Sequence, residues 1–160
     1  MQNVIVLCVG KLKEKFYLDA CAEYQKRLGR YCKLTVLELP EERLPDDPSE
    51  AQIAAALDRE ADAIEAKLPR GGAVIALCVE GKPMSSEQLS ETMARCAMRG
   101  ASQLTFLIGG SFGLSERVKT RAELRLSMSP MTFPHHLARV MLLEQIYRAY
   151  QIQTGTKYHK

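Results

Sequence analysis

No two cysteines of this chain stand in Cys-x-x-Cys spacing, and the five present (Cys8, Cys21, Cys32, Cys78 and Cys96) are odd in number. Neither a disulfide framework nor a zinc site is expected, and a reducing cytoplasm is the expected compartment. Each cysteine reads as a small core hydrophobe. No apolar run approaches the ~18 residues needed to span a bilayer, so no membrane association is expected. The start, Met1-Gln2-Asn3-Val4-Ile5-Val6, lacks the basic region and long apolar core of a secretory leader. No Cys/His/Asp/Glu cluster has metal-ligand spacing, and no metal is expected. The Gly-Lys-Ser/Thr phosphate loop is also missing, which argues against that nucleotidase chemistry. Histidine is scarce, and all three (His135, His136 and His159) lie at the C-terminal end.

What is present describes one ordinary α/β domain over residues 1–160. Hydrophobic residues make up 46% and charged residues 26%, which suits a chain with a substantial core. The net charge of +3 is unevenly spread. Residues 1–70 carry 11 Lys and Arg against 13 Asp and Glu, and residues 71–160 carry 11 against 6. From residue 117 onward the balance is 8 against 2. A basic C-terminal third suggests a polyanionic partner, with RNA the first candidate; an ordinary solvated basic face explains the charge equally well.

Strand and helix patterns alternate along the chain. Asn3–Val9 is an apolar run ending at Gly10, and Lys33–Leu39 alternates in the manner of a strand. Helical spacing runs from Glu14 to Arg30. Ser49 with Gln52, and Ser85 with Gln88, form capping boxes that open helices reaching about Leu68 and Met98. Ala73–Val79, Leu104–Ile108 and Glu123–Met128 read as further strands. Ser115 caps a short helix. Pro134 suits the first turn of a last helix that runs to about Gln153. The expected class is α/β with a mostly parallel sheet.

That last helix is apolar all round: Val140, Met141, Leu142 and Leu143 are consecutive, and Ile146, Tyr147, Ala149, Tyr150 and Ile152 follow. Such a helix needs cover on every side. A second subunit could supply one side, and the small size of the chain favours a homodimer over a helix sandwiched within one monomer. Arg139 and Arg148 interrupt the apolar pattern, and cations on a buried scaffold are costly unless paired or used. The loop Gly109-Gly110-x-x-Gly113, between a strand and a helix, would let a ligand approach bare backbone. It fails the dinucleotide fingerprint, lacking Gly-x-Gly-x-x-Gly and the acidic residue about twenty positions on.

Several motifs together resemble one family in order and spacing. They are Val9-Gly10-Lys11-Leu12-Lys13, Leu77 with Gly81-Lys82, Ile108-Gly109-Gly110-Ser111-x-Gly113-Leu114, Ser129-x-Met131-Thr132-Phe133-Pro134-His135, Glu144-Gln145-x-Tyr147-Arg148-Ala149 and Tyr158-His159-Lys160. The chain resembles the ribosomal large-subunit methyltransferase H family of the SPOUT class over its whole length. The resemblance implies a deep C-terminal trefoil knot, a homodimer, and methyl transfer from S-adenosyl-L-methionine to N3 of a pseudouridine in a 23S ribosomal RNA stem-loop. It implies cofactor contacts at Leu77, Gly109, Gly110, Met128, Ser129, Pro130, Met131, Thr132 and Phe133.

By the same resemblance Arg148, His159, Tyr158 and His135 are the candidate catalytic residues. Arg148 would stabilise charge on the base or hold phosphate. His159 or His135 would accept the imide proton. Tyr158 would stack on or hydrogen-bond the base. Each has a plainer alternative: a helix cap at His135, an i,i+4 pair of Arg148 with Glu144, and a frayed tail at 158–160. Arg139 is assigned to RNA phosphate; His136 and Cys78 receive no role. The tail is expected to complete the partner subunit's site. Two rival functions stand beside this reading: a SPOUT methyltransferase acting on transfer RNA, and a non-catalytic ribosome-associated RNA-binding factor. The absence of an appended RNA-binding module favours a target presented by the assembled ribosome.

Overall fold

Along β1 (Gln2–Val9), Val4, Val6 and Cys8 enter one hydrophobic cluster while Leu7 and Val9 enter another. Alternate side chains of a strand point to opposite faces, so β1 is buried on both sides, and this explains its continuous apolar run. The computed structural model describes residues 1–160. Its elements are β1, α1 (Lys15–Leu28), β2 (Cys32–Leu39), α2 (Glu50–Lys67), β3 (Ala73–Pro83), α3 (Ser86–Met98), β4 (Gln103–Ile108), α4 (Glu116–Arg121), β5 (Leu124–Ser127) and α5 (His135–Gln153).

The five strands form one wholly parallel sheet in the order β2-β1-β4-β3-β5. One face carries α1, α3 and α5, with Cys21, Met93, Leu142 and Ile146 packed among Val6, Phe106 and Ile108. The other carries α2 and α4, where Ile64 and Val118 cover Leu7, Ala76 and Leu107. No helix is long and apolar enough to cross a membrane. The cysteines are free; four are buried and Cys78 is half-buried.

Both capping boxes are formed. Ser49 accepts from the Gln52 N–H and Ser85 from the Gln88 N–H, and each glutamine side chain accepts the serine's own N–H. Caps of this kind contribute about 1 kcal/mol each. β3 runs four residues past its expected end. Its register with β5 breaks between Leu77 and Lys82 and then resumes, so residues 78–81 form a bulge in β3 beside β5. Pro134 stands at the N-cap of α5 rather than within its first turn, and His135 makes no capping hydrogen bond.

The final helix finds much of its cover within its own chain. It lies between α1 and α3, and Leu142, Leu143, Ile146 and Ala149 are fully buried against the sheet. Its C-terminal part is tied by Tyr150 donating to the Gln2 side chain (2.8 Å) and Ser90 donating to the Ala149 carbonyl (2.8 Å). A groove between α1 and α3 remains open above it, lined by Tyr24, Leu89, Val140, Met141 and Glu144.

Candidate active site

Three loops meet at the C-terminal ends of β3, β4 and β5, the end where parallel α/β sheets bind ligands. They enclose a cavity of about 830 Å³, within the range that holds cofactors. Leu77 comes from the β3 end, Gly109 and Gly110 from the loop after β4, and Met128, Ser129, Met131, Thr132 and Phe133 from the segment before α5. Eight of the nine expected cofactor residues therefore line one space. Pro130 does not: it is exposed and turns away from the cavity. The preceding turn is fixed by Ser127 donating to the Ser129 carbonyl and the Met131 N–H donating to the Ser129 hydroxyl.

The packing around the glycines gives a further reason for them. A Cβ on Gly109 would lie 2.4 Å from the Gly113 backbone, and one on Gly110 would lie 2.6 Å from the Glu41 carboxylate. Both glycines keep neighbouring parts of the protein in close approach, and neither hydrogen atom merely keeps space for a ligand. The loop turns back on itself through Gly113 N–H donating to the Gly110 carbonyl (3.0 Å).

Glu41, in the connection after β2, does not line the cavity but holds its glycine loop, a role the sequence did not reveal. Its carboxylate accepts the Ser111 N–H at 2.7 Å. Burial raises its pKa, but hydrogen bonds from Ser111 and the nearby His135 and His136 more than offset this, so the group stays below the usual carboxylate value. A carboxylate two residues after a β-strand, at the sheet end where ligands bind, is the signal that could have marked it.

His135 stands on the wall of this cavity, away from the other candidate catalytic residues. Its Nε2 is buried without a hydrogen-bond partner and lies 3.8 Å from Glu41. Burial first, then the charges of His136 and Arg139, lower its pKa against the opposing pull of Glu41.

Arg148, Tyr158 and His159 form a second cluster, on α5 and the tail. Arg148 binds Glu144 at 2.6 Å, so the i,i+4 pair weighed above does form. Its guanidinium also lies over the Tyr158 ring, 4.8 Å from the centroid, and its Nη1 is 3.3 Å from His159 Nδ1. Arginine can only donate, so Nδ1 accepts and Nε2 carries the hydrogen directed at Glu87 (2.7 Å). This bond, with help from its own backbone and Ser85, lowers the Glu87 pKa to about 2. Tyr158 donates to Glu144 at 3.0 Å. The tail is therefore docked on α3 and α5 of its own chain and is not frayed.

Arg139 requires a correction. It is 3% exposed, and it donates to Glu38 at 2.6 Å and to the Gly10 carbonyl at 3.0 Å. It ties α5 to the ends of β1 and β2 and cannot reach an RNA phosphate. Cys78, given no role above, lines the cavity.

Comparisons with known proteins show the family. The family model described as "Predicted SPOUT methyltransferase" matches residues 1–159. The chain is 48% identical to the ribosomal RNA large subunit methyltransferase H of Clostridioides difficile, over 99% of both chains. It is 51% identical to the protein of that name from Clostridium botulinum, again over 99% of both. Among solved structures, a probable methylase family protein from Haemophilus influenzae superposes with a TM-score of 0.57 at 12% identity. That match covers 98% of this chain and 68% of the other, and shows a shared fold. The chain belongs to the ribosomal RNA large subunit methyltransferase H family, within the SPOUT methyltransferases.

Proposed function

We propose that this protein is an S-adenosyl-L-methionine-dependent methyltransferase that modifies N3 of a pseudouridine in a 23S ribosomal RNA stem-loop, on the assembled ribosome in the cytoplasm. The observation that carries this reading is the convergence of Leu77, Gly109, Gly110, Met128, Met131 and Phe133 on one cavity, in a chain about half identical to ribosomal RNA methyltransferases along its whole length. The cavity fits the cofactor. Leu77, Met131 and Phe133 offer apolar walls to a purine, and the backbone of Gly109 and Gly110 approaches without side chains. When bound there, S-adenosyl-L-methionine would supply an electrophilic sulfonium methyl for transfer to the acceptor nitrogen.

The chain's own residues then have two tasks. One is alignment of acceptor with donor, which is worth many orders of magnitude in rate when the geometry is near attack. The other is to favour the imide anion, since N3 is nucleophilic only without its proton. Arg148, a fixed cation, stabilises that anion at a base carbonyl. As Arg148 turns toward the base, it releases His159 Nδ1, which takes the proton; Glu87 holds the ring by its other nitrogen and stabilises the cation formed. Tyr158 stacks beside the base. His135 keeps the cofactor loops in place.

We infer a homodimer in which the Arg148–Tyr158–His159 cluster of one subunit faces the cofactor cavity of the other. The open groove over α5 between α1 and α3 supports this, because its apolar residues Leu89, Val140 and Met141 favour cover. Residues 1–160 act as one SPOUT domain with a knotted C-terminal region. The strand order supports the threading: after β4 the chain passes β3 to reach β5, then returns by the glycine loop to enter α5.

The test is transfer of labelled methyl to assembled ribosomes, free 23S RNA and transfer RNA. Label on ribosomes alone is expected. Label on transfer RNA would replace this reading with its closest rival, and no label on any RNA would leave a non-catalytic ribosome-associated factor.

A further inference from the structure

Six residues close a ring of contacts between the first turn of α3, the helix α5 and the tail. The Ser86 hydroxyl donates to Gln145 Oε1 at 2.7 Å, and Gln145 Nε2 donates to Glu144 Oε2 at 3.0 Å. Glu144 binds Arg148, Arg148 meets His159, and His159 reaches Glu87, the residue after Ser86. α3 therefore holds the tail cluster at two points, Ser86 and Glu87. The Ser85–Gln88 capping box fixes the turn that carries both.

Gln145 is the least expected member of this ring. Neighbouring residues of a helix point about 100° apart and do not ordinarily meet. Here the Gln145 amide turns back onto the carboxylate beside it. An ionised carboxylate only accepts hydrogen bonds, so the amide presents its NH2 to Glu144 and its oxygen to the Ser86 hydroxyl. Ser86 thus sets the direction in which Gln145 donates.

The two oxygens of Glu144 are served unequally. Oε1 receives Arg148 Nη2 at 2.6 Å, Arg148 Nε at 3.1 Å and the Tyr158 hydroxyl at 3.0 Å. Oε2 receives Gln145 at 3.0 Å and Arg148 only through its Nε at 3.3 Å. The Glu144 side chain is 17% exposed, and a largely buried carboxylate that loses its arginine is costly unless other donors stay with it. Tyr158 and Gln145 are those donors, one on each oxygen. Tyr158 is also assigned to the base, which leaves Gln145 as the donor with no other task.

We propose that Gln145, oriented by Ser86, is a positioning residue for methyl transfer: it holds the Glu144 carboxylate in place while Arg148 leaves it for the acceptor base. This rests on the reading above, in which Arg148 turns toward a base carbonyl, and adds the device that makes the turn affordable.

The test is single-turnover methyl transfer to assembled ribosomes by wild type, Gln145→Met, Ser86→Ala, Ser86→Thr and the Gln145→Met/Ser86→Ala double variant. Calorimetric titration with S-adenosylmethionine and equilibrium sedimentation accompany it. Gln145→Met keeps the length of the side chain without its donor. It should lower the rate at saturating ribosomes about tenfold, the scale of a hydrogen bond to a charged acceptor. The half-saturating ribosome concentration, cofactor affinity and subunit mass should match wild type, as for an interaction needed only on the way to the transition state. Ser86→Ala should lose rate in the same way but add nothing to Gln145→Met, and Ser86→Thr, which keeps a hydroxyl, should recover most of the loss. A wild-type rate in folded Gln145→Met would overturn the proposal. So would strict additivity of the two substitutions, or a rate loss matched by lost cofactor affinity or subunit mass, which would make the ring merely structural. If Gln145→Met does not fold, equal rates in Ser86→Ala and Ser86→Thr would overturn it instead. Arg148→Ala tells the two levels apart: full activity there ends the reading of the cluster and the proposal with it, whereas an inactive Arg148→Ala beside a fully active Gln145→Met ends the proposal alone.

Discussion

Glu41 holds the glycine loop by its backbone: the Ser111 N–H donates to its carboxylate at 2.7 Å, across 70 residues of sequence. A hydrogen bond to a charged acceptor contributes about 1.5–3 kcal/mol. Glu41→Ala is expected to weaken S-adenosylmethionine binding by about ten- to a hundredfold, at 1.4 kcal/mol per tenfold. Glu41→Gln, which keeps an acceptor, should recover part of the loss. Calorimetry on both variants checks this, and full affinity in Glu41→Ala would leave the contact without a role in the cofactor site.

The same carboxylate explains a sterically sensitive position. A Cβ at Gly110 would meet it at 2.6 Å, so Gly110→Val should abolish cofactor binding in a folded protein. Gly110→Ala should be impaired, and Glu41→Ala should relieve the clash in the double variant. A double-mutant cycle that shows strict additivity would contradict direct contact between the two residues.

Catalysis is expected to fail separately from cofactor binding in the tail cluster. Arg148→Ala and His159→Ala should lose most methyl transfer, about a hundredfold or more by analogy with single proton-transfer and anion-stabilising groups, while binding cofactor normally. Equilibrium sedimentation should give twice the 17.9 kDa chain mass. Mixed dimers of one Gly110→Val subunit and one His159→Ala subunit should then retain one working composite site. Dead mixed dimers would return the tail to its own chain's site.

His135 makes stability pH-dependent with a definite sign. Its pKa lies below the 6.5 of an ordinary histidine, chiefly through burial. The folded state therefore binds fewer protons there than the unfolded state just below pH 6.5, and stability falls as pH drops through the unfolded value toward the folded one. His135→Gln should flatten the urea-denaturation midpoint between about pH 7 and pH 5. A slope unchanged from wild type would place the acid sensitivity elsewhere.

Local signals in the sequence were reliable where chemistry is local. The Ser49–Gln52 and Ser85–Gln88 boxes open helices at the expected residues, and five strands fall within a few residues of their expected bounds. Eight of the nine residues that the family motifs marked for the cofactor line one cavity. The failures are long-range pairings. Nothing beside Arg139 signals Glu38, 101 residues away, so a structural anchor read as an RNA contact. Glu41 sits in a proline-rich acidic stretch that resembles a solvated linker. The basic tail third looked free because the carboxylates of α2 that neutralise Arg117 lie more than fifty residues earlier. Strand order was not legible either, because strands buried on both faces share one apolar pattern.

The sheet order constrains how the chain reaches this structure. β1 lies between β2 and β4, and Asn3 pairs with Gln103. A nascent chain can pair β1 with β2 early, but the other edge of β1 stays open until residue 108 is made. The face that α5 covers stays wet until about residue 153. Closing such distant pairings costs loop entropy before any contact repays it. The protein should therefore refold slowly for its size, and chains cut before α5 should aggregate through a bare apolar sheet.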